Sequence, residues 1–275
     1  MTESLELSLP AAMAARRGTV HLVGAGPGDA GLLTVRGAAL LATADLVLHD
    51  QLVSDDVLAM VRRGADVVPV GRRCGHVVTT HQDVIARMIN AARDGQRVIR
   101  LKGGDPMVFG RGAEESRACV DARVDVVLVP GISSALAGPA AAGIPVTHRD
   151  LARGFLVMTA STSDDRDPDR GPAARFDGTL VVLMGRRRWG TVAARLIAAG
   201  RDPGEPSAVI ANATLPGQQV ARSMLATIAE TADRLAIGTP AILVVGDVTA
   251  LGGGTRPPTS AFADLGHLLH GTLVT

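Results

Sequence analysis

Three segments combine glycine with acidic, basic or hydroxyl side chains, and each directly follows an apolar run. The first is Gly24-Ala-Gly-Pro-Gly-Asp29, after Thr19–Val23. Glycines at a strand end let backbone N–H groups approach a ligand closely. The spacing departs from G-x-G-x-x-G: a dinucleotide loop needs glycine where Asp29 stands, and Pro27 interrupts the turn. A ligand loop and a plain tight turn fit it equally well. The second segment, Lys102-Gly-Gly-Asp-Pro-Met-Val-Phe-Gly-Arg-Gly112, holds four glycines in eleven residues. Ordering so flexible a stretch costs conformational entropy. Loops at the C-terminal ends of strands are also where α/β proteins bind ligands, so binding is the better reading here. A Walker A phosphate loop is excluded, because G-x-x-x-x-G-K-[ST] occurs nowhere. The third segment, Pro130-Gly-Ile-Ser-Ser134, opens a helical stretch. Its serines either cap that helix or leave free amides for a ligand.

Other polar groups sit where apolar runs end. His49-Asp50 closes the run Asp45–Leu48. A polar pair there suits proton transfer, and it suits solvent or a helix start equally. Asp55-Asp56 reads as a helix-start pair. His148-Arg149-Asp150 fits a structural charge network as well as a catalytic cluster. His76 and His81 flank a helix start without metal-ligand company. Cys74 and Cys119 lack a matching histidine pair, so no metal is assigned. Arg186-Arg187-Arg188 is a solvated run unless a carboxylate-rich ligand is drawn to it.

These groups need a framework of strands and helices. Strand-like runs are Thr19–Val23, Asp45–Leu48, Ala65–Val70, Arg97–Leu101, Val124–Val129, Phe155–Thr159, Thr179–Met184, Ala208–Ala211 and Ala241–Val245. Helical spacing covers Thr34–Ala44, Asp55–Arg63, Gln82–Asp94, Gly112–Asp121, Ser133–Ala142, Thr191–Ala199 and Ser223–Leu235. This alternation predicts α/β layers with mostly parallel sheets. The domain boundary falls near Pro145–Arg153, giving a first domain over 18–146 and a second over 147–252. Residues 1–17 read as a loose leader, 253–275 as a tail, and 164–174 as a polar loop.

Composition removes several classes. The chain has 275 residues, 47% of them hydrophobic, and 28 Lys+Arg against 27 Asp+Glu, a net charge of +1. Such a chain is not disordered. Near-neutral charge and 2% aromatic residues argue against nucleic-acid binding. Two cysteines make no disulfide framework, which points to a reducing cytoplasmic compartment. The longest uncharged stretch, Val126–Thr147, is long enough to span a membrane. Its glycines and prolines make it a strand, a short helix and a turn instead, so no membrane partner is expected. Lys102 is the only lysine, and there is no tyrosine.

Taken together, the segments resemble the tetrapyrrole methylase family, and within it the uroporphyrinogen-III C-methyltransferase branch. The resemblance covers about residues 19–250. Its strings are V-G-A-G-P-G-D at 23–29, D-x-L-V-S at 50–54 and R-L-K-G-G-D-P-M-V-F-G-R-G-A-E-E at 100–115. V-P-G-I at 129–132, G-I-P-V-T-H-R-D at 143–150 and L-M-G at 183–185 follow. The resemblance implies two α/β domains with a cleft between them, a homodimer, and S-adenosylmethionine (SAM) bound in that cleft, with S-adenosylhomocysteine as product. It implies SAM contacts at Pro27, Gly103, Gly104, Asp105, Val108, Ser133, Ser134, Met184, Ala213 and Ala241. The implied reaction methylates uroporphyrinogen III at C2 and C7 to give precorrin-2, for siroheme or cobalamin synthesis. Asp50 stands at the proton-acceptor position and Arg72 where the family has lysine. His49, Arg111 and Arg149 are candidates for the substrate's carboxylates.

The departures fall on the tetrapyrrole side. His49 replaces a family tyrosine, Arg72 a lysine and His81 a glutamine. Arg72 is, with Asp50, a catalytic candidate: arginine does not donate a proton near neutral pH, so it serves if the lysine's role is charge and hydrogen bonding, and activity falls if that role is proton transfer. These changes keep two alternatives open: a methyltransferase for a later precorrin, or a non-catalytic SAM or tetrapyrrole binder.

Overall fold

The computed structural model describes residues 13–73, 76–77, 79–160, 171–185 and 188–251. They fall into two compact units that part between Ser133 and Ser134.

The first unit is built on a five-stranded sheet in the order β3-β2-β6-β1-β7. Its strands are β1 (Thr19–Gly24), β2 (Leu46–Asp50), β3 (Asp66–Val70), β6 (Arg97–Lys102) and β7 (Asp125–Val129). Every pairing in it is parallel. Helices α3 (His81–Arg93) and α4 (Gly112–Asp121) supply Val84, Met88, Ala91, Ala92 and Cys119 to a core with Val20, Leu22, Leu46, Leu48 and Val98. Helices α1 (Val35–Leu41) and α2 (Asp55–Leu58) cover the other face against Val23, Val47, Ile99 and Leu101. The two lists alternate along each strand, as period-two side-chain direction requires. Thr34 caps α1, its hydroxyl accepting from Gly37 N at 3.0 Å. Thr80 and Asp83 form a capping box on α3.

The second unit has a five-stranded sheet in the order β11-β10-β12-β9-β8. Its strands are β8 (Phe155–Thr159), β9 (Thr179–Leu183), β10 (Pro206–Ala211), β11 (Gln219–Met224) and β12 (Ala241–Val245). Helices α7 (Trp189–Ala198) and α8 (Ile228–Arg234) pack on one face, and α5 (Ser134–Ala141) on the other. A single turn, α6 (Gly171–Ala174), joins the first of these cores.

Three expectations change, and one element is new. Only β8 and β9 pair in parallel here; β9–β12, β12–β10 and β10–β11 are antiparallel, so the second sheet is mixed. The helix expected over 223–235 starts at Ile228, because Gln219–Met224 forms β11. Its exposure alternates around buried Ala221, and it leaves Arg222 free to donate to the Ala142 and Thr249 carbonyls at 2.8 and 2.7 Å. The second unit opens earlier than the 145–153 boundary, since α5 contributes Ala135 to the core over β9, β10 and β12. A two-residue pair, β4 (Arg72–Arg73) with β5 (His76–Val77), was not legible. The leader up to residue 12, the tail from 252, and residues 161–170 of the polar segment lie outside the described residues. So do Cys74, Arg186 and Arg187. Among the described residues, no helix is long and apolar enough to cross a membrane.

Candidate functional site

The three glycine segments leave the C-terminal ends of β1, β6 and β7, which lie side by side. They meet at their backbones. Gly26 and Gly104 bridge the first two loops, N to O at 3.2 and 2.8 Å. Ala25 N donates to the Lys102 carbonyl at 2.7 Å. A methyl group on Gly24 would lie 2.5 Å from Gly131 Cα, and one on Gly131 would lie 2.2 Å from the Gly104 carbonyl oxygen. Only glycine permits that approach. Asp105 ties the second loop to the third: Oδ2 accepts from Gly131 N at 3.0 Å, and Oδ1 from Met107 N at 2.8 Å. Ser54 joins from the loop after β2, donating to the Gly28 carbonyl at 2.6 Å.

Beside the loops lies a charge cluster that period-two direction creates. Asp50 on β2 shares a face with Leu46 and Leu48. Arg100 and Lys102 on β6 share that face with Val98. The face is covered by α4, which brings Glu115. Arg100, Lys102 and Glu115 are 5%, 2% and 0% exposed. Glu115 Oε1 accepts from Arg100 Nε at 3.1 Å, and Oε2 lies 2.9 Å from Lys102 Nζ. The Arg100 guanidinium also donates to the Leu48 and Leu101 carbonyls at 3.2 and 3.1 Å and pairs with Asp50 Oδ1. Asp50 Oδ2 accepts from Gly103 N at 3.2 Å, and the Asp50 side chain keeps 33% of its surface open. Burial, aided by the Arg100 charge, pushes the Lys102 ammonium below its ordinary range, while Asp50 and Glu115 oppose the shift.

The remaining tetrapyrrole-side candidates are spread around this cluster. His49, on the opposite face of β2 from Asp50, is 9% exposed, and its Nδ1 contacts the Asp50 backbone carbonyl at 3.0 Å. His81 opens α3, 3.4 Å from Glu114. Burial and the nearby Arg111 charge lower its pKa. Arg111 has left-handed backbone (φ 59°) and is exposed, paired with Glu114 at 2.6 Å. Arg72 has its backbone in β4 opposite Val77; its side chain lies outside the description. Pro27, Gly103, Gly104, Asp105 and Ser133 are half-buried and Val108 is exposed, all on the three loops. Exposed Met107 and Phe109 add to the apolar surface there.

Within the second unit, β9 and β10 run the same way and β12 runs against them. Met184, which follows β9, Ala213, which follows β10, and Ala241, which starts β12, therefore lie at one end of that sheet. Ala211 pairs with Ala241. Met184 is exposed with left-handed backbone (φ 59°). Gly138 of α5 packs on Ile242, with Ala213 beside it, and Ser134 is the first residue of that helix. Arg149 is exposed in the turn closed by the His148–Ala152 bridge. A polar cavity of about 370 Å³ lies at the opposite end of the same strands, beside Gly178, Pro206 and Gly246. Its Arg201 is occupied structurally, by Glu205 and by the Phe176 and Gly178 carbonyls at 2.6 and 2.8 Å. Among the described residues, no three His, Cys, Asp or Glu side chains gather to hold a metal.

Sequence reasoning passed over Arg100, Glu115 and the mutual contact of Gly24, Gly104 and Gly131. A signal for the first two was present: charges at 100 and 102 in an otherwise apolar central strand demand a buried counter-charge.

A parallel sheet with interlocked glycine loops at its C-terminal edge, and a braced carboxylate beside them, defines an α/β protein with the place where such folds commonly bind small molecules. The family model for tetrapyrrole (corrin/porphyrin) methylases matches residues 19–229, and the chain belongs to that family. A uroporphyrinogen-III C-methyltransferase of Sinorhizobium sp. is 42% identical over 254 residues, covering 91% of this chain and 90% of that protein. The siroheme synthase of Neisseria meningitidis serogroup B is 46% identical over 235 residues, 85% of this chain. The chain spans about half the length of the siroheme synthases it matches, 48% for that one. The solved uroporphyrin-III C-methyl transferase of Thermus thermophilus complexed with S-adenyl homocysteine is 39% identical. Its TM-score is 0.75, and the match covers 85% of this chain and 99% of that one.

Proposed function

We propose that this chain transfers methyl groups from SAM to C2 and C7 of uroporphyrinogen III, giving precorrin-2. The observation that carries the proposal is the 42% identity with a uroporphyrinogen-III C-methyltransferase across nine-tenths of both chains. Family resemblance assigns the donor contacts to Pro27, Gly103, Gly104, Asp105, Val108, Ser133, Ser134, Met184, Ala213 and Ala241. Exposed apolar Met107, Val108 and Phe109 beside the Asp105 carboxylate suit an amphipathic, cationic molecule.

Transfer breaks the donor's C–S bond, leaving its electron pair on sulfur, and forms a C–C bond to an electron-rich pyrrole carbon. The macrocycle then carries a positive charge until it loses a proton. Alignment of sulfur, methyl and carbon is the main task, and interlocked backbone loops supply it without moving parts. Asp50 takes the proton; Arg100 and the Gly103 amide fix its carboxylate. Arg111 and Arg149 bind the substrate's carboxylates, and Arg72 serves beside them as a catalytic charge; His49, buried on the face of β2 opposite Asp50, is not placed to join them. On this reading the chain acts as a homodimer in the cytoplasm, a placement supported by family resemblance and by its lack of a cysteine framework.

The test incubates purified protein with SAM and enzymatically made uroporphyrinogen III. Product heavier by two methyl groups, with the absorbance of precorrin-2, is expected. SAM binding without methylated product overturns the proposal.

A further inference from the structure

We infer that Glu115, although it touches neither ligand, is a positioning residue for methyl transfer, acting on Asp50 through Arg100. The inference rests on the function proposed above, in which Asp50 takes up the proton.

The geometry forms one chain of contacts from a fully buried group to a partly open one. Glu115 Oε1 holds Arg100 Nε at 3.1 Å, and the other end of the same guanidinium holds Asp50. A guanidinium is planar and rigid, so fixing Nε from one side orients both terminal nitrogens on the other. The Leu48 and Leu101 carbonyls take one of those nitrogens. Only the remaining one is left to set the Asp50 carboxylate. Glu115 also meets Lys102 at 2.9 Å, and Lys102 immediately precedes Gly103, whose amide holds the second Asp50 oxygen. Both restraints on Asp50 therefore trace back to one buried carboxylate. The four charges balance: Arg100 and Lys102 against Glu115 and Asp50. Removing Glu115 leaves two buried cations sharing Asp50, and the guanidinium loses the contact that aims it.

The experiment compares the parent with Glu115→Gln, Arg100→Lys, the Glu115→Gln/Arg100→Lys pair and Lys102→Met/Glu115→Gln. For Glu115→Gln, kcat should fall about 10- to 100-fold, the range expected for a reacting group displaced by ångström amounts. The dissociation constant for S-adenosylhomocysteine, read by calorimetry, should change far less than kcat, because the donor loops are tied to one another by the Gly26–Gly104 bridge and by Asp105 independently of Glu115. In the Arg100→Lys background the same change should add almost nothing, since the two act in series. Lys102→Met/Glu115→Gln removes both members of a buried pair. It should melt near the parent temperature yet keep the low kcat. Recovery of kcat in that double variant would show that Glu115 merely neutralises Lys102 and would overturn the inference. Losses that multiply in the Arg100→Lys background would also overturn it. A parent without turnover refutes the function proposed above instead. In that case a crystal structure of Glu115→Gln decides: Arg100 turned away from Asp50 upholds the inference, and Arg100 still in place ends it.

Discussion

Replacing Gly131 by alanine tests the interlock of the three loops directly. The added methyl group would lie 2.2 Å from the Gly104 carbonyl oxygen, 2.7 Å from Gly24 Cα and 2.9 Å from Gly24 C. Ordinary contact begins at 3.4 Å, and all three obstacles are backbone, so the loops must part by about 1 Å. Overpacking of this kind costs about 1–3 kcal/mol. For a unit of this size that lowers Tm by roughly 3–10 °C. The same movement strains the Gly26–Gly104 bridge and the 3.0 Å hydrogen bond from Gly131 N to Asp105. A shift of that size at a binding surface is worth on the order of 10- to 100-fold in a ligand's hold or reactivity. The assay is a thermal melt together with calorimetric titration by S-adenosylhomocysteine. Gly190→Ala in α7 serves as the control, since its methyl group would meet only Ala229 Cβ at an ordinary 3.5 Å. A Gly131→Ala protein melting within about 1 °C of the parent, with affinity unchanged to about two-fold, would refute the interlock.

Asp50→Asn should cut methyl transfer by about 100-fold or more while sparing S-adenosylhomocysteine binding; turnover near the parent value would remove Asp50 from proton transfer. Asp45 sits at the start of the first unit's sheet and accepts from Arg97 N, Nε and Nη2 and from Arg62 Nη2, all at 2.8–2.9 Å. Chiefly through its hydrogen bonds to the Arg97 side chain, its carboxyl is held well below the usual carboxylate range. A depressed folded-state value means stability that is present above about pH 4 and is lost as pH falls toward that lower value. Asp45→Asn should therefore cost about 1–2 kcal/mol near neutrality, after allowance for solvent screening, and should flatten the acid side of the stability curve. Denaturation curves at several pH values check this, and parallel curves would contradict it. Cys119 is fully buried, and burial pushes its thiol up to about 11. Native protein at pH 8 should leave the peptide containing Cys119 unalkylated by iodoacetamide until denaturant is added; rapid native modification would place that residue elsewhere. Lys102→Arg should destabilise by about 1–3 kcal/mol in a denaturant titration, because the longer fork overfills a buried slot. A variant as stable as the parent would show room around Nζ.

Where one residue's neighbours along the chain decide its state, the sequence was a sufficient guide. Thr34 caps α1, Gly143 follows α5 with φ 69°, and most strands appear within a residue or two of their expected ends. The glycine segments were recognisable because their composition is costly to order without a use. What failed depends on partners distant in sequence. β11 goes unread until β10 pairs with it, its last two residues, Ser223 and Met224, looking like the front of a helix, and the directions of β10 and β12 follow from loop paths that leave no local trace. Glycine itself does not reveal that Gly24, Gly104 and Gly131 need each other. His49 and Asp50 looked like a pair, but neighbours on a strand face opposite ways. The structure gives Asp50 to Arg100, and His49 to a backbone carbonyl.

The charges on β6 deserve a physical explanation, because a central parallel strand is where desolvation is most expensive. Apolar replacements for buried ion pairs are often neutral or stabilising, so stability alone gives no reason for an Arg and a Lys at 100 and 102. Removing one member is different: it strands the others without water or counter-charge. The cluster therefore resists stepwise loss. Its open end is Asp50, the one carboxylate of the four charges that reaches the surface beside the glycine loops. The sole lysine of a chain with 28 basic residues fits the same logic. Every other basic position holds arginine. At 102, however, a compact ammonium must end 2.9 Å from Glu115, with its Cε 3.3 Å from where a methyl group on Gly110 would lie. A planar guanidinium there would have to displace either the carboxylate that aims Arg100 or the loop that carries Gly103.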